Sequence, residues 1–239
     1  LSDGEFGFVY ALATLSSSFI LISFAKLIDY IDLRIYSFII SLGLFLACMG
    51  MAILINNIFY LFLIIFMLRF FGQGAMDHAG ATTMARYFGN DRGKALSIAT
   101  LGGMIGVMFL PYLALNIFKD LKVSQLWFFA SFSIVFFIPF VFFALSDQKK
   151  RHQNFKGNLQ ENSINKKLLT RDILKDNKFY IYFPLSITSS FISTGLMFHQ
   201  IYIFDQKGWS LEMLGNGYIL LGFFSIVGLL LGGPLVDKL

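Results

Sequence analysis

The sequence predicts an all-α membrane protein, a bundle of seven transmembrane helices. Hydrophobic residues make up 56% of the chain and charged residues only 14%, and the mean hydropathy is +0.70. Soluble globular domains carry about 25% charged residues. A helix needs about 20 consecutive apolar residues to cross a bilayer, and the chain supplies such runs repeatedly. These observations exclude an ordinary soluble domain.

The seven spans are predicted from apolar runs that are separated by polar turns. Backbone groups in lipid must be paired within their own segment, so continuous apolar runs predict helices, whereas barrel strands would alternate in polarity. Because the chain begins with Leu1 and not with methionine, we expect a fragment of a longer protein. The predicted spans are 7–28, 35–55, 58–87, 95–116, 125–145, 181–203 and 212–233.

Lysine and arginine residues concentrate in alternate connections between the spans. They fill the turns 29–34 and 86–94, the linker 146–180 and the end of the chain, whereas the other side carries only Lys119, Lys122 and Lys207. The positive-inside rule therefore places the linker in the cytoplasm. Its basic residues indicate a loop beside anionic lipid and no nucleic-acid partner. Within it, residues 164–179 have helical apolar spacing and are predicted to lie along the membrane surface.

The end of the chain repeats its beginning. At an offset of 208 residues, eight identities fall within residues 2–31 without a gap. The first and seventh spans are six crossings apart and so point the same way across the membrane. Transporters are known in which parallel repeats are related by an axis normal to the membrane. The pairs include Ser2 with Ser210, Gly7 with Gly215, Tyr10 with Tyr218 and Asp29 with Asp237.

Three motifs in order carry a family resemblance. The turn "AKLIDYIDLR" and the end "GGPLVDKL" resemble the Gly-x-x-x-Asp loops of the major facilitator superfamily, and "RFFGQG" followed by "ARYFGNDRGKALS" resembles its helix 4 and the next loop. The resemblance implies seven spans of a twelve-helix fold built from two halves. Residues 1–145 would hold helices 2–6 of the first half, 146–180 the cytoplasmic linker, and 181–239 helices 7–8.

The resemblance also implies a function. The family moves small solutes across membranes by alternating access, as symporters or antiporters, so we expect a small-molecule substrate, no catalysis, no cofactor and a multi-pass place in the bacterial plasma membrane. Its two Asp loops act as a cytoplasmic latch. The corresponding residues are Asp29, Arg34, Gly233, Asp237 and Lys238, although the first copy departs from the pattern at Ala25, Tyr30 and Asp32.

Polar side chains interrupt the third predicted span. Arg69 lies about 16 Å below Ile58 at 1.5 Å per residue, close to the middle of a hydrocarbon core about 30 Å thick. Gln73 and Asp77 follow at intervals of four and share its helical face. Such a buried arginine indicates either a role in substrate binding or proton coupling, or a packing device between helices. A guanidinium suits an anionic substrate, because it pairs with carboxylates.

Three further polar residues are candidates for the same pathway. His78 lies beside Asp77 near the inner edge of the membrane, where a solvated helix end explains it equally well. His199 and Gln200 lie near the outer end of the sixth span, where a solvated or hydrogen-bonded histidine is common. In the family that the chain resembles, helices 4 and 7 both line the central cavity, so Arg69 and His199 would face one pathway.

Two other classes of protein fit the sequence less well. A seven-helix receptor or sensor fits the number of spans, but it leaves the terminal repeat unexplained, and residues 212–233 lack the lysine that a retinal protein needs. The sequence contains no HExxH motif that would indicate an intramembrane metalloenzyme, and no P-loop that would indicate an ATP-driven pump. The three histidines do not indicate a metal site.

The predicted orientation is testable with a single cysteine. In the full-length protein with Cys48 replaced, Gln160→Cys should resist an impermeant thiol reagent applied to intact cells and react after permeabilisation, because the basic linker is cytoplasmic. Lys207→Cys, on the predicted outer side, is the matched control and should react in intact cells. Labelling of Gln160→Cys from outside would overturn the orientation.

Overall fold

The computed structural model describes residues 2–53, 57–88, 91–148 and 174–238. Within these ranges the chain forms seven helices long and apolar enough to cross a membrane, and no strand. The predicted fold class and the predicted number of spans are therefore confirmed. Most of the predicted surface helix 164–179 lies outside the described residues.

The helices follow the predicted apolar runs closely. The predicted span 58–87 coincides with the third helix, and the sixth helix extends the predicted 181–203 by about one turn at each end. The helices are α1 (Asp3–Phe24, continued by a 3-10 turn over Ala25–Asp29), α2 (Leu33–Ile53), α3 (Ile58–Tyr87), α4 (Arg92–Ile117), α5 (Val123–Ala144), α6 (Asn177–Gln206) and α7 (Leu211–Lys238).

The terminal repeat is visible in how its two helices begin. The hydroxyl of Ser2 accepts a hydrogen bond from the backbone N–H of Glu5 (3.3 Å), and the hydroxyl of Ser210 accepts one from the N–H of Met213 (3.1 Å). Such caps satisfy donors that the first helical turn leaves unpaired. The repeated serine thus sets the start of both α1 and α7.

Two helices contain π-helical segments, in which each N–H reaches back five residues. In α3 the segment is Leu68–Ala75, and in α4 it is Leu113–Ile117, just after Pro111. At its end the N–H of Phe118 bonds the carbonyl of Leu113 at 2.8 Å. Such segments are rare and occur often at functional sites. The one in α3 contains Arg69 and Gln73.

The buried core joins α1, α2 and α3. Val9 and Ala13 of α1 pack on Ile65 of α3, and Ala75 of α3 packs on the fully buried Tyr36 of α2. Many other large apolar side chains are exposed, as in a protein whose outer surface faces lipid. This core fixes α3, and with it Arg69, against α1.

Two further pairs of helices pack closely, α2 with α5 and α4 with α7. Ser131 of α5 is fully buried, and its hydroxyl oxygen lies 3.0 Å from the sulfur of Met49 and donates to the carbonyl of Phe128 at 2.7 Å. Along α4 and α7 the backbones approach closely at Gly93 and Gly233, where a Cβ added to Gly233 would lie 2.8 Å from the Gly93 carbonyl oxygen. Glycine is therefore required at this crossing.

The α4–α7 crossing predicts a position-specific loss of stability. Gly233→Ala should lower the free energy of unfolding by about 1–3 kcal/mol, the usual cost of overpacking. Gly232→Ala is the control, because a Cβ there meets nothing within 4 Å. The measurement is the melting temperature of the purified full-length protein in detergent. Equal melting temperatures for the two variants would contradict the close approach.

Candidate functional site

Arg69 lies in the π-helical segment of α3 and is held by three neutral groups. Its Nε donates to the hydroxyl of Thr14 at 3.2 Å, and its Nη1 donates to the side-chain oxygen of Gln73. The guanidinium carbon lies 4.5 Å from the centre of the Tyr10 ring, a distance at which the face of the ring attracts a cation. Arg69 and Gln73, which the sequence predicted to share a helical face, are hydrogen-bonded to each other in the structure.

The sequence of α1 prepares these contacts. Tyr10 and Thr14 are four residues apart and so share one helical face. The Thr14 hydroxyl donates to the Tyr10 carbonyl at 2.8 Å, which leaves its oxygen free to accept from Arg69. Packing of α1 on α3 brings this face over the guanidinium. Arg69 is thereby oriented by two helices.

The charge of Arg69 has no counter-ion among the described residues. The ion pairs there join Arg34 to Asp32 and Arg86 to Asp29, and neither involves Arg69. Its Nη2 has no hydrogen-bond partner in the same part of the chain. Near the middle of a membrane, arginine is usually paired or exposed to water. The arrangement leaves donors free for an anion.

A polar cavity opens beside Arg69. It has a volume of about 230 Å³ and is lined by Arg69, Gln73, Thr14, Ser17 and Thr194, among others. Ser17 is buried, and its hydroxyl donates a hydrogen bond to the carbonyl of Thr14 at 2.8 Å, which leaves its oxygen able to accept one. The lining thus combines one cation with hydroxyl and amide groups.

A larger, mainly apolar cavity lies between α1 and α6. Its volume is about 810 Å³, and Tyr10, Phe183, Ile187, Phe191 and His199 are among the lining residues. The cavity is open on one side, and its lining residues from α6 are exposed. Thr194 lines both cavities, so the polar and the apolar space adjoin.

The two polar residues predicted near the outer end of α6 separate. His199 lines the large cavity, whereas Gln200 lines another cavity, of about 290 Å³, between α6 and α7. There its side-chain oxygen accepts a hydrogen bond from the Tyr218 hydroxyl at 2.7 Å. Adjacent helical residues point about 100° apart, so the two side chains serve different spaces.

Asp77 and His78 line neither the polar nor the large apolar cavity. Asp77 lies beyond the π-helical segment and is exposed. The Nε2 of His78 lies 3.3 Å from the Thr82 hydroxyl, and its Nδ1 is buried without a partner among the described residues. The expectation of a shared face for Arg69, Gln73 and Asp77 assumed a regular α-helix. A π-helical turn holds more residues than an α-helical turn, so a spacing of four residues does not by itself place Asp77 on the face of Arg69.

Asp237 joins α7 to α4 at the predicted cytoplasmic end. Its carboxylate accepts hydrogen bonds from the backbone N–H of Gly93 at 2.6 Å and of Lys94 at 2.8 Å. These are the first N–H groups of α4, where the helix dipole favours a negative charge. Gly233, one turn earlier, makes room for the contact.

The first copy of the loop is bound differently. Asp29 forms an ion pair with Arg86 at the end of α3. The Nε of Arg34 lies 3.6 Å from the Oδ1 of Asp32, and its guanidinium carbon lies 5.9 Å from the centre of the Phe142 ring. These contacts remain within α1–α5. The side chain of Lys238 lies outside the described part of the structure.

Comparison with known proteins decides the family. A family model described as the Major Facilitator Superfamily matches residues 1–239, the whole chain.

The chain belongs to the Major Facilitator Superfamily.

Two curated relatives agree with this family. The chain is 28% identical over 129 residues to the Inner membrane transport protein YdiM of Escherichia coli (strain K12), an overlap of 53% of this chain and 30% of that protein. It is 26% identical over 183 residues to the MFS transporter eqxG of Fusarium heterosporum, covering 70% of this chain and 34% of that protein. The matched regions thus span about a third of each relative's length. No solved structure matches.

Membership in the superfamily confirms the family that the sequence motifs indicate. The protein is a multi-pass integral membrane protein. Within this major facilitator chain, the sequence alone did not identify Tyr10, Thr14 and Thr194 as neighbours of the polar site. Tyr10 did stand out in the terminal repeat, where it matches Tyr218. Both tyrosines contact a predicted polar residue, Arg69 and Gln200 respectively.

The Asp237 contact predicts a change in accessibility at the α4–α7 crossing. Asp237→Ala in the full-length protein should cost about 0.5–2 kcal/mol, the usual value of a helix cap, and weaken the crossing. Ser97 is 8% exposed at this crossing. With Cys48 replaced, Ser97→Cys should therefore react with a small thiol reagent several-fold faster in the Asp237→Ala background than in the background that keeps Asp237.

Asp29→Ala is the matched control, because its ion pair lies within α1–α3. It should leave the labelling rate of Ser97→Cys unchanged. Equal rates in the Asp237→Ala and Asp29→Ala backgrounds would show that the carboxylate of Asp237 does not hold α4 and α7 together.

Proposed function

We propose that this chain is part of a secondary active transporter that moves a small organic anion by alternating access. The observation that carries the proposal is the guanidinium of Arg69, predicted to lie near the middle of the membrane. It has only neutral partners among the described residues and borders a polar cavity. A guanidinium with free N–H donors binds a carboxylate through charge-assisted hydrogen bonds.

The proposed division of the chain follows the linker. Residues 1–145 belong to one half, 146–180 form the cytoplasmic linker, and 181–239 begin the second half. The contact between Asp237 and the start of α4 then joins the two halves at the cytoplasmic end. Hydrogen bonds between a carboxylate and a helix terminus can break and re-form, so this contact suits a latch made in one of two states. Asp29, held by Arg86, would support the first half.

Proton coupling is a further element of the proposal. His199 lines the cavity that Tyr10 also lines, so its imidazole lies near the substrate space. Histidine can take up and release a proton under physiological conditions. Asp77 and His78, placed towards the inner end of α3, are proposed as secondary candidates. The name of the Escherichia coli relative supports a location in a bacterial inner membrane.

The alternative of a seven-helix receptor or sensor has less support. The superfamily match extends over the whole chain and accounts for the terminal repeat, which the alternative leaves unexplained. The close approach of α4 and α7 also fits two repeated units that meet along one pair of helices.

Substitution of Arg69 tests the proposal. In liposomes containing the full-length protein, Arg69→Ala should lower the affinity for the anion about tenfold to a hundredfold, because hydrogen bonds to charged groups contribute about 1.5–3 kcal/mol. Arg69→Lys should also impair uptake, because it keeps the charge but loses the planar fork. The measurement is uptake of a panel of small carboxylates with and without an imposed proton gradient.

Lys119→Ala is the control for this test. It removes the same charge from an exposed position in the α4–α5 turn. Wild-type uptake in Arg69→Ala, with normal insertion, would make Arg69 a packing residue and would remove the basis for an anionic substrate. Uptake that does not respond to the proton gradient would contradict proton coupling alone.

A further inference from the structure

The polar and the apolar cavity adjoin, so together they favour a substrate with one polar and one apolar end. Thr194 lines both, and Tyr10 contributes to both environments: its ring lines the apolar cavity and its face covers the guanidinium of Arg69. A molecule that occupies both spaces therefore places one end beside a cation. Its other end lies among apolar side chains.

The walls of the apolar cavity are rich in aromatic rings. On one side, the ring of Phe198 packs on Phe6 and on Tyr10, with centroids 5.9 Å and 5.4 Å apart. Phe183 and Phe191 of α6 also line the space. Aromatic side chains favour an aromatic ligand, because offset or edge-to-face ring contacts add to the burial of apolar area.

The charges around the two cavities restrict the ligand further. Their described lining contains Arg69 and His199 as basic groups and no carboxylate. A neutral ligand would leave the guanidinium unpaired. A second negative charge, carried on the far end of the ligand, would enter the apolar space, where desolvation opposes it. A very short carboxylate would leave that space unfilled.

Resting on the proposed transport of an organic anion, we infer that the substrate is an aromatic monocarboxylate. Its carboxylate binds the free N–H groups of Arg69 in the polar cavity. Its ring lies between α1 and α6, where Phe191 and Phe198 contact it. The two ends of one ligand are thus held by residues of α3 and of α6.

Four small probes separate this inference from its competitors. Phenylacetate carries both a carboxylate and an aromatic ring. Acetate carries only the carboxylate, phenylacetamide carries only the ring, and succinate carries two carboxylates and no ring. Binding to the purified full-length protein in detergent is measured by calorimetry, at a pH well above the pKa of the acids. We expect phenylacetate to bind at least about tenfold more tightly than each of the other three, since a single strong contact is worth about that factor.

Two variants locate the ring. Phe191→Ala should weaken phenylacetate binding about fivefold through loss of a ring contact and leave acetate binding unchanged. Phe143→Ala is the matched control: Phe143 is 81% exposed and Phe191 is 77% exposed, but Phe143 lines neither cavity. Gly195→Leu fills the apolar cavity from α6, where an added Cβ meets nothing within 4 Å. It should abolish the preference for phenylacetate over acetate, even if Phe191→Ala fails to fold.

The outcomes distinguish this inference from the proposed function. If succinate or acetate binds as tightly as phenylacetate, the aromatic assignment is wrong and transport of an organic anion stands. If phenylacetamide binds as tightly as phenylacetate, Arg69 does not recognise the negative charge, and both the aromatic inference and the proposed function fail. The inference is also overturned if Phe191→Ala and Phe143→Ala bind phenylacetate equally well. Failure of every carboxylate to bind would reject the proposed function itself.

Discussion

The bilayer requires that every backbone polar group be paired inside the protein, and the rest of the structure depends on this constraint. It makes each apolar run a helix and places the polar turns at the helix ends, where side chains take over the pairing. Ser2 and Ser210 satisfy the starts of α1 and α7. Asp237 satisfies the start of α4 from a different helix. The same chemical need that ends a helix thereby creates a contact between distant parts of the chain.

Charge is subject to a similar constraint, and Arg69 meets it only in part. Thr14 and Gln73 occupy two of its donor groups, and the Tyr10 ring lies against its face. These contacts orient the guanidinium without neutralising it. A carboxylate in the same position would hold Arg69 more firmly, but it would compete with an anionic ligand. Neutral partners therefore give a site that is ordered and still able to bind charge.

Hydropathy was sufficient to predict the helices, and residue spacing indicated that Arg69 and Gln73 share a helical face, but not that they form a hydrogen bond. The other partners of Arg69 could not be read in this way, because Tyr10 and Thr14 reach it only when α1 packs on α3. The shared face predicted for Asp77 assumed a regular α-helix, and no sequence signal marked the π-helical segment that changes the helical period. The loop aspartates were recognised by motif, but only the tertiary structure shows that Asp29 stays within α1–α3 while Asp237 reaches α4.

The two candidate cavities lie where the packing is least dense, because a ligand needs space that closely packed helices do not leave. Between α4 and α7, Gly93 and Gly233 bring two backbones into contact, so this crossing stabilises the arrangement but has no room for a ligand. Between α1 and α6 the described contacts are mainly those of Phe198 with two rings, and most of α6 is exposed. Stability and binding are thus assigned to different helix pairs. A change in the spacing of α1 and α6 would alter the cavities directly and leave the glycine crossing intact.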